Sequence, residues 1–248
     1  MSEVIFLLVV FFIGIATGFF DATIGAGGLI SVPALVFLGF PPQMAIATDR
    51  FGTIGQSSIA AFKFWQAKKI VWKYVLPFSV LSLVGSLVGA NILLKVSPAA
   101  LQKVVGVLLL VLLPLMLLKS NIGTHRNEAD KPKRSIGLII YFLIMVFGGF
   151  FGQGTGPLIF YILTYFLGLT MIEVLATGTI PWLVLSLSSV AIFAFKGIIN
   201  YKSGIILFIG MALGGYVGAH VAIKKGDSWL KRLFALFVLV SSIKLLFF

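Results

Sequence analysis

The sequence is short of cysteine, histidine and charge, and each shortage removes a class of function. It has no cysteine, which excludes disulfides and thiolate metal sites. It has two histidines and lacks the HExxH, GxSxG and P-loop motifs of metalloproteases, serine hydrolases and nucleotide-driven machines. We therefore predict that the protein is not an enzyme and that it holds no metal and no cofactor.

Charged residues make up only 10% of the chain, whereas a soluble domain keeps roughly a quarter of its residues charged. Apolar residues make up 60%, and the mean hydropathy is +1.13. The apolar runs are too long and too numerous for one buried core, so the sequence predicts an all-α polytopic membrane protein in contact with the lipid bilayer. The first run, Val4–Phe20, follows Glu3 instead of a basic segment and has no cleavage site, so we expect it to be retained.

Basic residues outnumber acidic ones by 19 to 7, which gives a net charge of +12. In a soluble protein this excess would favour nucleic acid as a partner. Here the bases fall mostly in short loops between apolar runs, where the preference for positively charged cytoplasmic loops explains them. No nucleic-acid partner is predicted.

Glycine interrupts the first apolar segment at Gly25, Gly27 and Gly28, and Pro33 follows. Glycine weakens a helix and proline blocks its simple propagation. The flanking residues are nevertheless apolar enough for lipid, and non-helical backbone cannot face hydrocarbon without losing its hydrogen bonds. The break should therefore face protein or a water-filled cavity, as the broken helices of transporters do. The alternative is a glycine cluster that serves close helix packing.

The second half of the chain repeats the first at an offset of 129 residues. Gly25-Ala26-Gly27 corresponds to Gly154-Thr155-Gly156, and Ala47-Thr48 corresponds to Ala176-Thr177. Further matches in this register are Leu29-Ile30 with Leu158-Ile159, Lys73 with Lys202, Gly85 with Gly214, and Gly89-Ala90 with Gly218-Ala219. An internal duplication follows. We predict an N-terminal transmembrane repeat over residues 1–118, a polar cytoplasmic linker over 119–134 and a C-terminal transmembrane repeat over 135–248.

Each repeat is predicted to contain a broken helix or re-entrant helical hairpin and three transmembrane helices. If the broken segments cross the membrane, the halves are parallel and the bases divide 12 to 6 between the two sides. If they return as hairpins, the halves are inverted and the division is 13 to 5, which fits the positive-inside rule better. We expect two inverted repeats, with the linker cytoplasmic and both termini outside.

Two half-helix N-termini that meet inside the bilayer would present unpaired amides and partial positive charge to one space. Such a space suits a small anionic substrate, and neighbouring polar side chains would add hydrogen bonds. The predicted substrate-binding residues are Gly25, Gly27, Gly28, Thr48, Asp49, Arg50, Gln153, Gly154, Thr155, Gly156 and Thr177.

Asp49 and Arg50 lie about five residues into an apolar span, where unpaired charges are costly. Either Arg50 attracts the anion while Asp49 tempers its charge or carries a proton, or both lie at headgroup level and snorkel or pair locally. Asp21, Asp49 and His220 are the candidates for proton coupling. Asp21 could instead cap the helix after the break, and His220 could be an interfacial histidine. Glu173 begins a helix, where an acid stabilises the positive end.

The order and doubling of these motifs resemble the TauE/SafE family of membrane transporters over nearly the whole chain. The resemblance rests on Phe20-Asp21-Ala22, the run from Gly25 to Leu35, the pattern Gly39-x-Pro41-Pro42-x-x-Ala45-x-Ala47-Thr48, and Gly154-Thr155-Gly156. It implies transport of small sulfur-containing anions such as sulfite, thiosulfate or organosulfonates. The chain departs from the common pattern in having two successive glycines instead of three and in carrying Asp49-Arg50 after Thr48.

We therefore predict a secondary transporter of the cytoplasmic membrane that works by alternating access around the paired breaks. An anion channel of the same architecture and a non-transporting membrane assembly subunit are the alternatives. The oligomeric state is left open, with a homo-oligomer as one option.

Overall fold

The computed structural model of the chain describes residues 2–96, 131–152 and 155–233. Every regular element in these ranges is an α-helix, which confirms the predicted all-α class. The helices are α1 (Glu3–Ile24), α2 (Gly28–Phe37), α3 (Pro42–Gln66), α4 (Trp72–Lys95), α5 (Lys131–Phe150), α6 (Thr155–Leu167), α7 (Met171–Phe195) and α8 (Tyr201–Lys225). A further helix begins at Asp227, and its described part ends at residue 233. The end of the predicted N-terminal repeat, most of the predicted linker and the end of the predicted C-terminal repeat lie outside the described residues.

Five of the described helices are long and apolar enough to cross a membrane, namely α1, α4, most of α5, α7 and α8. This supports a multi-pass membrane protein. α3 has 25 residues and is also long enough, at roughly 38 Å, but it carries many buried polar side chains. It packs against both α7 and α8, so protein rather than lipid surrounds its polar face.

The short helices α2 and α6 are the arms that follow the two glycine interruptions. α2 has 10 residues, which is roughly 15 Å or half of the hydrocarbon thickness, and α6 has 13 residues. α1 ends because Gly25 adopts a φ of +66°, a left-handed conformation that glycine takes without strain. Pro33 is accommodated inside α2. Both halves therefore contain an interrupted segment with a short second arm.

Glycine faces bring helices of opposite halves into close contact. A Cβ added to Gly14 of α1 would lie 3.1 Å from the Cα of Gly210 in α8. A Cβ added to Gly89 of α4 would lie 2.7 Å from the carbonyl carbon of Gly149 in α5. Because small residues let backbones approach, α1–α8 and α4–α5 are among the most extensive helix contacts in the described chain.

The helices form two bundles that do not coincide with the two sequence halves. The first bundle contains α1, α2, α3 and α8, and the second contains α4, α5, α6 and α7. Thus α4 of the first half packs against helices of the second half, and its equivalent α8 packs against helices of the first half; we call this arrangement the exchange of α4 and α8. The consecutive helices α3 and α4 barely touch along their length, and the same holds for α7 and α8.

Contacts along the first bundle give the relative directions of its helices. Glu3 forms an ion pair with Lys202 near the starts of α1 and α8. Near their ends, a Cβ on Gly218 would lie 3.0 Å from the Cβ of Ala22. α1 and α8 therefore run in the same direction. α3 also runs this way, because contacts near its start fall near the start of α8.

The second bundle has the same internal arrangement. Ser82 of α4 is hydrogen-bonded to Tyr141 of α5 at 3.2 Å, and Gly89 further along α4 packs against Phe150 at the end of α5. These two helices run in the same direction. The chain reverses between α3 and α4 and between α7 and α8, so equivalent helices of the two halves point in opposite directions. These directions support the inverted arrangement, and the orientation of the repeats in the membrane stays a prediction.

Two loops of five residues, 67–71 and 196–200, connect the bundles. They are equivalent in the repeat and turn in the same way. Lys68 has a φ of +54° and its counterpart Gly197 has a φ of +65°. Each loop therefore contains one left-handed residue at the same position, and each carries the chain from one bundle to the other.

Candidate functional site

At the first glycine break, between α1 and α2, Asp21 accepts hydrogen bonds from the backbone of the break. The Gly27 N–H, at the start of α2, donates to Asp21 Oδ1 at 2.7 Å, and the Gly25 N–H donates to the Asp21 carbonyl oxygen at 3.0 Å. A Cβ on Gly27 would lie 2.8 Å from Asp21 Cγ, so glycine is required there. Asp21 thus caps the helix after the break, which is one of its two predicted roles. The Gly27 amide is therefore bound by a carboxylate of the protein in this structure. The role of Gly27 in substrate binding stays a prediction.

The described part of the second break is built differently. Gly152 has a φ of +81°, and Thr155 begins α6 with its Oγ1 donating to the Gly152 carbonyl oxygen at 2.7 Å. Gln153 and Gly154, both predicted to bind substrate, lie outside the described residues. The position equivalent to Asp21 is Phe150, so this break has no corresponding carboxylate.

The two breaks contact each other. A Cβ added to Gly156 would lie 2.6 Å from the Cα of Gly25, and one added to Gly25 would lie 2.9 Å from the Cα of Gly156. A side chain at either position would collide with the backbone of the other, so both must be glycine. The structure thus brings together two interruptions that are separated by more than half of the chain.

A cavity of about 70 Å³ opens beside this contact, which is enough for one small anion or a few water molecules. Its polar lining comes from both bundles and consists of Asp21, Gln56, Ser57, Thr155 and Thr179. Of the predicted substrate-binding residues, Gly25, Thr155 and Gly156 line it, whereas Gly27 and Gly28 do not. The remaining wall is apolar and includes Phe64 and Trp182. An apolar wall with a few convergent polar groups is typical of a small-molecule site.

Asp49 and Arg50 are buried in α3, with 3% and 2% of their surface exposed. Neither reaches the protein surface, as snorkelling would require. These consecutive residues reach opposite breaks. Ser31 Oγ of α2 donates to Asp49 Oδ1, whereas Arg50 Nη2 donates to the Gly148 carbonyl oxygen in the last turn of α5. One dipeptide therefore connects the arm of the first break to the helix that precedes the second.

The Arg50 guanidinium lies between the second break and Trp182. Its Cζ is 4.9 Å from the centroid of the Trp182 ring. A Cβ on Gly152 would overlap the guanidinium, so glycine leaves the space that Arg50 occupies. The Nε atom of Arg50 has no hydrogen-bond partner in the part of the chain that the structure describes. Asp49 and Arg50 do not line the cavity, but Trp182 contacts both the cavity and the guanidinium.

A family model described as sulfite exporter TauE/SafE matches residues 10–245 of this chain. The chain belongs to the TauE/SafE family. A probable membrane transporter protein of Haemophilus influenzae is 25% identical over 241 residues, which cover 97% of this chain and 94% of the relative. The probable membrane transporter protein YfcA of Escherichia coli is 26% identical over 253 residues, covering 100% of this chain and 92% of its own length. YdhB of Bacillus subtilis, with the same description, is 27% identical over 220 residues, covering 86% and 87%. No solved structure matches the chain.

Membership of the TauE/SafE family and the names of these relatives make the protein a membrane transporter. Three further predicted site residues also lie away from the cavity. Thr48 Oγ1 accepts the N–H of Asn200 at 3.1 Å, and Thr177 Oγ1 accepts the N–H of Val71 at 3.0 Å. These two threonines hold the loops that connect the bundles. His220 is exposed on the outer face of α8 and does not join the buried charges.

In this TauE/SafE protein the start of α7 is also capped by acidic side chains of the chain itself. Glu173 Oε2 accepts the Thr170 N–H at 3.1 Å, and Thr170 Oγ1 accepts the Glu173 N–H at 3.4 Å, which forms a capping box. The predicted helix-end role of Glu173 is thereby confirmed. Asp227 Oδ1 accepts the Ile172 N–H at 2.7 Å. The start of α7 is therefore satisfied within the protein and has no need of a bound anion.

Sequence reasoning missed several residues of the site, above all Trp182. The other three tryptophans flank loops, whereas Trp182 lies in the middle of an apolar span, and that difference was the available signal. Gln56 and Ser57 also gave a signal, because polar side chains in a membrane span need a reason to be there. The Gly148 carbonyl gave none, because a backbone contact leaves no trace in residue type.

Proposed function

We propose that this membrane transporter carries a small sulfur-containing anion, such as sulfite, thiosulfate or an organosulfonate, across the cytoplasmic membrane as a secondary transporter. The proposal is carried by the contact of Gly25 with Gly156, beside which the cavity opens. Interrupted helices that meet between two repeats are the usual setting of a transporter substrate site. The description of the family supplies the substrate class.

Arg50 supports an anionic substrate. Among the described residues it is the only buried base, and its Nε has no partner there. Guanidinium groups bind oxyanions through pairs of N–H donors, and the interaction is strongest away from water. An anion in the cavity is next to Trp182, which covers the guanidinium. Direct contact therefore requires that the indole or the helices beside it move.

Charge balance favours coupling to protons. Asp21, Asp49 and Arg50 together carry one net negative charge when all three are ionised, and this charge repels an anion. A proton on either carboxylate removes the net charge before the anion enters. We therefore include in the proposal a proton that moves with the anion and is held by Asp21, which lines the cavity, or by Asp49.

The test is uptake of radiolabelled sulfite, thiosulfate and sulfoacetate into proteoliposomes that contain the purified protein, with acetate as a comparison. We expect saturable uptake of at least one sulfur anion and loss of that uptake in Arg50→Gln. Asn91→Leu is the matched control, because Asn91 is exposed, lies away from the cavity, and donates its side-chain hydrogen bond to the Leu87 carbonyl oxygen of its own helix, at 2.7 Å. This variant should transport like the wild type.

Other results would select a different function. Uptake that rises linearly with concentration and shows no counter-transport would indicate an anion channel instead. Equal uptake of acetate would overturn the substrate class. Absence of flux for every sulfur anion, with wild-type folding, would leave the role of an assembly subunit.

A further inference from the structure

We propose that the bodies that move during transport are the two exchanged helix bundles, not the two sequence halves, and that Arg50 is the positioning residue that holds them together in this state. The inference rests on the proposed transport function. It concerns which helices stay together while the cavity opens first to one side of the membrane and then to the other.

Helix packing decides between the two choices of moving body. Separating the sequence halves would break the α1–α8, α3–α8, α4–α5 and α4–α7 interfaces, which include the most extensive contacts of the described chain. Separating the bundles would break the α3–α7 contact, the small contacts of α1 with α6 and α7, and the hydrogen bonds from Gln43 of α3 to carbonyl oxygens at the end of α4. Closely packed interiors resist deformation and move as units. Moving the bundles apart therefore breaks less helix packing than moving the sequence halves apart.

The cavity lies on the surface along which the bundles meet. Asp21, Gly25 and Gln56 belong to the first bundle, and Gly156 and Trp182 belong to the second. The contact of the two breaks is likewise a contact between bundles. A relative displacement of the bundles therefore changes the walls of the cavity.

The two connecting loops have the construction of hinges. Each is five residues long and has one left-handed residue, Lys68 or Gly197. The far end of each loop is fixed to the bundle that it enters, through Thr177 in the second bundle and Thr48 in the first. Rotation is thus confined to a few loop residues, as in hinged domain movements.

Among the described hydrogen bonds, the one that Arg50 donates is the only one that joins a buried charged side chain of one bundle to the other bundle. It belongs to α3 in the first bundle, and its partners, the Gly148 carbonyl oxygen and the Trp182 ring, belong to the second. Asp49, in contrast, bonds to Ser31 within the first bundle. An anion that takes the guanidinium away from Gly148 would loosen this link, which connects substrate binding to bundle movement.

The test uses distances between spin labels, because the chain has no native cysteine to remove. One pair, Leu76→Cys with Ile139→Cys, joins α4 and α5, which lie in different halves and the same bundle. The other pair, Phe12→Cys with Leu76→Cys, joins α1 and α4, which lie in the same half and different bundles. All three residues are at least 63% exposed, so labels should not disturb packing.

We expect Arg50→Gln, measured in liposomes without substrate, to add a second distance population for the Phe12–Leu76 pair and to leave the Leu76–Ile139 distance unchanged. The reverse pattern, or no new population for either pair, would overturn the proposal. This measurement needs no flux, so it decides the inference even if no sulfur anion is transported.

A disulfide gives an independent reading. Ser86 Oγ and Ser188 Oγ are hydrogen-bonded between α4 and α7, across the halves but inside the second bundle, so Ser86→Cys with Ser188→Cys places two thiols within bonding reach. We expect oxidised and reduced forms to transport equally. Reversible loss of flux on oxidation would mean that the halves separate, and absence of flux in both the reduced form and the wild type would count against the proposed function alone.

Discussion

Arg50 shows how a single buried charge is accommodated. A guanidinium away from water is stable only when its N–H groups and its charge find partners. Here the partners are the Gly148 carbonyl oxygen and the face of Trp182. The planar group both stacks and donates, which a lysine ammonium on its flexible stem cannot do in the same way.

Arg50→Lys should therefore keep the positive charge and lose most of the transport. A desolvated cation–π contact is worth up to about 2 kcal/mol, so we expect uptake to fall about tenfold or more at subsaturating substrate. The measurement is initial uptake in proteoliposomes at matched protein content. Lys63→Ala is the control, because Lys63 lies 4.6 Å from the centroid of the Tyr216 ring at the half-buried surface, away from the cavity. Comparable loss in both variants would contradict the special role of Arg50.

Asp21→Asn should uncouple uptake from the pH gradient. The substituted amide keeps an oxygen that can accept the Gly27 N–H, so the break should stay closed. The side chain can no longer take up or release a proton, and an imposed pH gradient should cease to stimulate sulfur-anion uptake. Asp227→Asn, which alters the cap of α7 instead, should keep the response. If both variants respond like the wild type, Asp21 is only a cap and Asp49 is the remaining carrier.

At the residue scale, sequence reasoning identified the charges but not their partners. Burial of Asp49 and Arg50 inside the protein follows from the high cost of charge in lipid, which made the pair worth naming. Their separate destinations could not be predicted, because Ser31 and Gly148 are brought near by packing between helices distant in sequence. Capping of the helix after the first break was one of two roles predicted for Asp21. The sequence could not decide between them, because the cap depends on a turn that brings the Gly27 N–H to a carboxylate six residues earlier.

At the scale of elements, glycine determines which helices are neighbours. A Cβ on Gly214 of α8 would overlap the Ile15 carbonyl oxygen of α1 and lie 2.9 Å from the Phe19 backbone nitrogen. Interfaces of this kind hold helices together in lipid, where the hydrophobic effect gives no driving force between them. Duplicated glycines are therefore packing residues on α4 and α8, whereas Gly25 and Gly156 at the breaks line the cavity.

Gly214→Ala should destabilise the protein, because overpacking at a close helix contact costs about 1–3 kcal/mol. Gly178→Ala is the matched control. Gly178 is also within a helix, but a Cβ there meets nothing within 4 Å, and alanine gains about 1 kcal/mol of helix propensity over glycine. Thermal unfolding in detergent should therefore shift down for the first variant and up for the second. Equal shifts would show that local space does not control these positions.

Helix bounds were the most predictable elements. In the sequence, the apolar runs at residues 174–195 and 203–223 match α7 and α8 to within a few residues, because length and hydropathy define a span directly. The interruption at Gly25 was predictable for a different reason, because glycine weakens a helix and three glycines fall between residues 25 and 28. Which helix packs against which was not predictable, because every span offers a similar apolar surface.

At the scale of the whole molecule, exchange of α4 and α8 ties the halves into one unit. Relative helix directions support inverted repeats and place loops 67–71 and 196–200 at opposite ends of the molecule. The distribution of bases in the sequence favours the same arrangement. Helix directions give the relative orientation of the two loops, whereas the distribution of bases also predicts that the linker is cytoplasmic and both termini are outside.

Single cysteines in the two loops should react on opposite sides. Lys69→Cys and Lys196→Cys both introduce an exposed thiol into a chain that has none. In whole cells, a membrane-impermeant maleimide should label Lys196→Cys and spare Lys69→Cys, and inverted membrane vesicles should give the opposite result. Labelling of both loops from one side would mean that the repeats are parallel, with the broken segments crossing the membrane.

Exchange of the fourth helices also has an evolutionary consequence. A polypeptide with one copy of the repeat would leave its first helix without the glycine-faced companion that the other copy now provides. We therefore expect a single-copy ancestor to have worked as a pair of identical subunits, each packing its equivalent of α4 or α8 against its neighbour. A fused pair can differ between its copies, as Asp49-Arg50 and Gly178-Thr179 do in this chain.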